Sequence, residues 1–140
     1  MSRIVCAMSG GVDSSVAAAL LVQQGHEVIG ITLRLWPEQQ DGTESGCCGL
    51  SAVEDARRVA SALGIRFHVK DEQALFEEQV VRPFVDEYGR GRTPNPCIRC
   101  NRYIKFASLL QFADQLGADA LATGHYARIG FDDTRQRWTL

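Results

Sequence analysis

No apolar run in this 140-residue chain approaches the roughly 18–20 residues that a membrane-spanning helix needs. The opening segment, MSRIVCAMSGG, lacks the hydrophobic stretch of a secretory signal, because Ser9, Gly10 and Gly11 interrupt it. A cytoplasmic location with no membrane partner is therefore expected. There is no internal repeat, no low-complexity tract and no strong excess of one charge, the formal total being −2. Those absences leave an ordinary globular chain, one domain by length and long enough to bury a core. Its five cysteines are an odd number, and without an export signal a disulfide framework is not expected. Cys6, in an apolar strand-like run, reads as plain core. The other four form two pairs, Cys47–Cys48 and Cys97–Cys100, which gives weight to metal binding or thiol chemistry.

Apolar runs alternate with helical patterns along the whole chain. RIVCAM, HEVIGITLRLW, IRFHV and ADALATGH read as strands. The intervening helices are expected to stop at Gly25, Gly64 and Gly117. ALFEEQVVRPFVDEYG reads as a helix kinked or broken at Pro83, and IKFASLLQFADQLG as a further helix. Such β-α alternation predicts an α/β fold, a parallel sheet with helices on both faces. Ligands in these sheets bind beyond the carboxyl ends of the strands. The connection PEQQDGTESGCCG is longer than ordinary βα loops of about 2–6 residues, which marks it as mobile or functional. ARIGFDDTRQRWTL reads as a strand, a polar turn at 132–136 and the opening of a second strand, as though the chain were part of something longer.

The first strand–helix junction, CAMSGGVDSS, has neither the lysine of a Walker A loop nor the spacing G-x-G-x-x-G. It still has Ser9, Gly10 and Gly11, which let the backbone aim several N–H groups at one point. The positive end of the following helix then favours an anion there. The plainer alternative is a glycine turn capped by Asp13 or Ser14.

In GRTPNPCIRCNRYIKF, Asn95 precedes a proline and is driven out of the helical region. Pro96 suits a first helical turn, which places Cys97 and Cys100 three apart on one face. A helix start and the nearby Arg99 and Arg102 both favour a reactive thiolate. Arg90, Arg92, Arg99, Arg102 and Lys105 lie in a stretch without acidic residues, leaving about −7 on the rest of the chain. A basic strip on an acidic background suits a polyanion; a solvated loop with scattered arginines is the bland alternative. Cys97 and Cys100 are also candidates for zinc or an iron–sulfur cluster, with Cys47, Cys48 or a cysteine outside the chain as third ligand, or for a redox pair. Adjacent Cys47 and Cys48 diverge too much to share a mononuclear site.

Ser-Gly-Gly-Val-Asp-Ser at the first junction matches the PP-loop of ATP pyrophosphatases. Together with CCGLSAVEDARRVASALGI, TPNPCIRCN followed by IKF, and LATGHYAR, it resembles the tRNA-specific 2-thiouridylase family over essentially the whole chain. The resemblance implies an adenine nucleotide alpha hydrolase-like, Rossmann-like domain over 1–128. Residues 129–140 would then begin a hairpin leading into central and C-terminal tRNA-binding parts, where the family's second, persulfide-bearing cysteine lies. It further implies that ATP is held by Ala7, Met8, Ser9, Gly10 and Gly11, continuing through Val12, Asp13, Ser14 and Ser15. Leu33 and Gly124 flank the nucleotide, and Asp13 helps place Mg²⁺. Gly124 is physically apt, since a strand end without a side chain lets adenine or ribose approach. His125 is either within reach of the site or simply packed.

By the same resemblance Cys100 is the catalytic nucleophile of the sulfur step, and Asn95, Pro96 and Cys97 contact the target base. Here the sequence departs from well-studied members of the family, which carry an aspartate, a proposed general base, at the position of Cys97; either Cys97 substitutes for that acid, or proton handling shifts to another group and Cys97 has another role. The implied reaction adenylates O2 of the wobble uridine, position 34, and replaces that oxygen with sulfur. The implied partners are tRNAs reading Lys, Glu and Gln codons and a sulfur-carrier or cysteine desulfurase relay protein. Two alternatives remain: another PP-loop ligase of the amidotransferase or argininosuccinate type, or a nucleotide- or metal-binding module without catalysis.

Overall fold

The computed structural model describes residues 1–36 and 50–140. Cys47, Cys48 and the polar connection that holds them lie outside the described residues. Four parallel strands form the main sheet in the order β3-β2-β1-β4. They are β1 (Arg3–Ala7), β2 (Glu27–Arg34), β3 (Arg66–Asp71) and β4 (Ala120–Ala122). Helix α1 (Val12–Gln23) joins β1 to β2, and α2 (Leu50–Ala62) precedes β3. After β3 come α3 (Gln73–Phe76), α4 (Arg82–Gly89), α5 (Pro96–Arg99) and α6 (Ala107–Gln115). An antiparallel hairpin of β5 (Gly130–Asp132) and β6 (Arg137–Thr139) follows β4. The expected fold class is observed.

The alternation of strand residues builds two cores. Val5 on β1 and Ile29, Ile31 and Leu33 on β2 pack with Phe76, Val80, Ile104 and Leu109 on one face. Cys6, Met8 and Val28 pack with Ala18, Ala56 and Ala60 on the other. A strand covered on both faces needs apolar residues at both parities, and β1 and β2 have them. Cys6 is fully buried, and burial pushes its thiol up to about 11. It is core, as expected.

The helix stops at Gly25, Gly64 and Gly117 are also observed. Each glycine has positive φ, and its N–H and that of the next residue bond back into the last turn. A fourth closure of this kind is at Gly91, two residues beyond the end read from the sequence.

Pro83 does not break its helix. α3 runs through a π-helical turn, Glu77–Val81, into α4, with Phe76 and Arg82 at the junctions both in the right-handed helical region. A proline cannot serve the carbonyl four residues back, here that of Gln79. The Arg99 Nε donates to that carbonyl instead, at 2.7 Å. The helix expected to begin at IKF likewise starts earlier. From α5 the chain continues through a second π-helical turn, Cys100–Phe106, into α6, again with helical backbone at both junctions. β4 is shorter than ADALATGH, because Thr123, Gly124 and His125 leave the sheet. The turn at 132–136 is where it was expected, with the Asp132 carboxylate accepting from the N–H groups of Thr134 and Arg135 at 3.0 and 3.1 Å.

Candidate functional site

The chain leaves β1 for β2 and β3 on one side and returns to β4 on the other, so strand order reverses between β1 and β4. Ligands bind in open α/β sheets outside the carboxyl ends at such a reversal. A cavity of about 280 Å³ lies there. Its floor is apolar: Ile31, Leu33, Leu35, Phe106 and Leu109. Its polar edge is Ser9, Asp13 and Ser14 from the first loop, Thr32 from β2, Thr123 and His125 after β4, and Lys105 from the second π-helical turn. An apolar floor with one polar edge suits a nucleotide.

Ser14 organises the loop. Its hydroxyl accepts from the Ser9 N–H at 3.1 Å and donates to the Gly11 carbonyl at 3.1 Å. The Ser15 hydroxyl also donates to that carbonyl, at 2.8 Å. The Thr32 hydroxyl fixes the other side of the loop by donating to the Met8 carbonyl at 2.5 Å. Both serine side chains thus turn back on Gly11, which is the N-cap of α1, and no side chain caps this helix. The plain turn capped by Asp13 or Ser14 is not what the chain forms. An uncapped first turn facing a cavity retains the donors and the dipole that bind anions.

Two glycines allow the loop to sit this close. A Cβ on Gly10 would lie 2.4 Å from the Ala52 carbonyl oxygen, and the residue has φ of 78°. A Cβ on Gly124 would lie 2.7 Å from the Ser14 nitrogen. Gly124 does line the cavity, yet what its missing side chain admits is the first turn of α1. The approach of an adenine or ribose is not needed to explain it. Just beyond, the Tyr126 hydroxyl donates to Asp13 Oδ1 at 2.9 Å, and that bond raises the phenol's pKa above its ordinary value. His125 is exposed; its Nδ1 pairs with the Thr123 hydroxyl at 2.9 Å and its ring lies 5.5 Å from that of Phe106.

The thiol motif starts as predicted and then diverges. Asn95 is extended and Pro96 opens α5. The Asn95 side-chain oxygen accepts from the N–H groups of Cys97 and Ile98 at 3.1 and 3.4 Å. This helix start is therefore closed by its own cap. Cys97 is exposed, whereas Cys100 is half-buried against the core around Ile104. The two thiols do not share one exposed face. Neither they, nor Asn95, nor Pro96, belong to the cavity lining.

The basic strip is less bare than its sequence. Arg92 forms a two-bond ion pair with Glu87, both contacts at 2.5 Å, and the Arg92 hydrogen bond is the main cause holding the Glu87 carboxyl below its usual range. Arg99 and Arg102 both approach the Tyr103 ring, at 5.1 and 5.4 Å from its centroid.

Asp13 is the lone carboxylate in the described lining, beside the Ser9, Ser14 and Thr32 hydroxyls. Mg²⁺ is commonly held by one or two carboxylates and the phosphates of its nucleotide, so this donor set fits Mg²⁺ carried by ATP. Among the described residues no group of three or more His, Cys, Asp or Glu side chains converges on a metal. Zinc or an iron–sulfur cluster at Cys97 and Cys100 therefore has no third ligand there.

Residue-level reading missed Lys105, Phe106 and Tyr126 as members of the site. Lys105 had counted only as one charge of the strip, although IKF follows the thiol motif at helical spacing.

Residues 2–139 match a family described as the tRNA methyl transferase HUP domain. The tRNA-specific 2-thiouridylase MnmA of Desulforamulus reducens is 57% identical over 141 residues, which cover 99% of this chain and 38% of that protein. The same-named protein of Symbiobacterium thermophilum is 58% identical, over 99% of this chain and 37% of its own length. The chain thus spans less than two fifths of these curated relatives. Among solved structures, a predicted subunit of tRNA methyltransferase from Methanocaldococcus jannaschii aligns with a TM-score of 0.59 at 23% identity, over 89% of this chain and 53% of that one. A glutamine-dependent NAD⁺ synthetase from Acinetobacter baumannii, in complex with ADP, aligns with a TM-score of 0.58 at 18% identity, over 85% and 21%. These two likenesses show the fold alone, a parallel α/β sheet flanked by helices.

Proposed function

The chain belongs to the tRNA methyl transferase HUP-domain family, and on that premise we propose that it is the ATP-using portion of a tRNA 2-thiouridylase. One observation carries this reading. The helix that opens on Asn95, Pro96 and Cys97 runs on through Cys100 to Lys105, Phe106 and Leu109, which wall the nucleotide cavity. A PP-loop ligase for another substrate has no use for a Pro-Cys-x-x-Cys start on that helix.

ATP lies along Ala7–Ser15 between Leu33 and Gly124, with Asp13 taking Mg²⁺. When bound, Mg²⁺ neutralises phosphate charge. O2 of the wobble uridine attacks the α-phosphorus, pyrophosphate leaves, and O2 becomes part of a good leaving group, AMP. The outer sulfur of a cysteine persulfide then attacks C2 and AMP departs; the Cys100 thiolate attacks the inner sulfur, the S–S bond breaks with its electron pair on the sulfur that stays on C2, and the disulfide so formed is reduced by an external thiol. Cys100 is the nucleophile of the sulfur step, while Asn95, Pro96 and Cys97 meet the base. The substrates are tRNAs reading Lys, Glu and Gln codons, sulfur arrives from a carrier or desulfurase protein, and the reaction takes place in the cytoplasm. The division at 128/129 marks the passage to tRNA-binding parts.

Pyrophosphate release from ATP, measured with and without such a tRNA, tests this. Release that depends on the tRNA is expected. Release that depends on free amino acids instead would sink the thiolation reading, and ATP binding without turnover would leave a nucleotide-binding module.

A further inference from the structure

We propose that Lys105 is the cation that holds the nucleotide's phosphates, a role the first loop leaves unfilled. This rests on reading the cavity as an ATP site. The loop contains no lysine. What it offers an anion is backbone N–H groups and the helix dipole, equivalent to about half a charge. Its one ionised side chain in the lining, Asp13, has the wrong sign.

Lys105 is the single lysine or arginine among the described lining residues. The ammonium of Lys70 is bound to Glu72 and Ser108, and Arg3 and Arg92 are held by Glu27 and Glu87. Lys105, by contrast, has no hydrogen bond or ion pair among the described residues. It is half-buried, and its neighbour Ile104 is fully buried in the core. The helix is therefore anchored beside the very residue that faces the cavity. An ammonium in the cavity wall without a carboxylate among the described residues, sharing that cavity with an uncapped helix start, lacks only its anion.

In the reaction an oxygen of the substrate attacks the α-phosphorus. The new O–P bond forms as the bond from that phosphorus to the bridging oxygen breaks. Pyrophosphate leaves with the electron pair, and the uridine ring N–H proton is lost to solvent. Lys105 neutralises the phosphate oxygens.

Calorimetric titration of this chain with Mg·ATP and with adenosine tests the proposal. Lys105→Met is expected to weaken ATP binding by about 10- to 100-fold, the range of a hydrogen bond to a charged group, and to leave adenosine binding within about twofold. Lys105→Arg is expected to recover most of the loss, and Lys105→Gln replaces the methionine variant if that one does not fold. Unchanged ATP binding by the neutral variant overturns this inference alone. An equal loss for ATP and adenosine also overturns it, because the side chain would then act by packing. No ATP binding by the unaltered chain overturns both the nucleotide reading and this one.

Discussion

Two helix starts of this molecule, those of α1 and α5, are built in opposite ways. α1 begins at a glycine that offers no side chain, and the serines behind it bond away from the opening. α5 begins at Asn95, whose oxygen takes the N–H groups of Cys97 and Ile98. The first is held open by what packs behind it; the second is closed by its own residue. A helix start in a sequence thus does not by itself say whether its dipole is available to a ligand. The residue at the cap, and the direction in which the following hydroxyls turn, decide it.

The largest expected break in this contrast is at the open start. Gly124→Ala would put a carbon 2.7 Å from the Ser14 nitrogen, against backbone that cannot swing aside. Overpacking of this sort costs about 3 kcal/mol, to be read from urea unfolding, and it should also weaken ATP binding by displacing the loop. Stability equal to that of the unaltered chain would show that the opening is not held from behind.

A smaller effect is expected at the closed start. Asn95→Ala removes the cap of α5 and should cost about 1 kcal/mol in the same unfolding measurement. A cost near zero would make the two starts alike.

The smallest change concerns the tie across the open one. The hydrogen bond to Asp13 holds Tyr126 above its ordinary value near 10. The stabilisation it gives is complete below the unfolded value and fades as pH rises through the raised folded one. Absorbance of tyrosinate, compared with Tyr126→Phe, should show one phenol titrating late; titration at or below the ordinary value would remove that tie.

Much of the fold was legible because its determinants are local. Alternating β1 and β2 residues, and glycines placed where helices must stop, announce themselves within a few positions. The tight glycine turn between β1 and α1 was legible for the same reason. What was not legible depends on partners far away in sequence. Pro83 reads as a kink or a break, and the break is avoided because Arg99 serves the carbonyl that the proline leaves. The thiols read as one exposed pair until the π-helical turn carries Cys100 toward the core. The arginine strip reads as bare until the chain reverses at Gly91 and brings Arg92 onto Glu87. Gly124 looks like room for a ligand until α1 is seen to fill it.

Cys6 supplies an internal clock for this molecule. Its sulfur is sealed under the carbonyl of Ser14, near the carboxyl end of β1, with its proton firmly held. Cys97 stands in solvent on a different segment. An alkylating reagent therefore meets Cys97 in every native molecule, but reaches Cys6 only when the sheet parts from α1. The delay between the two modifications measures how often the strand beneath the first loop opens.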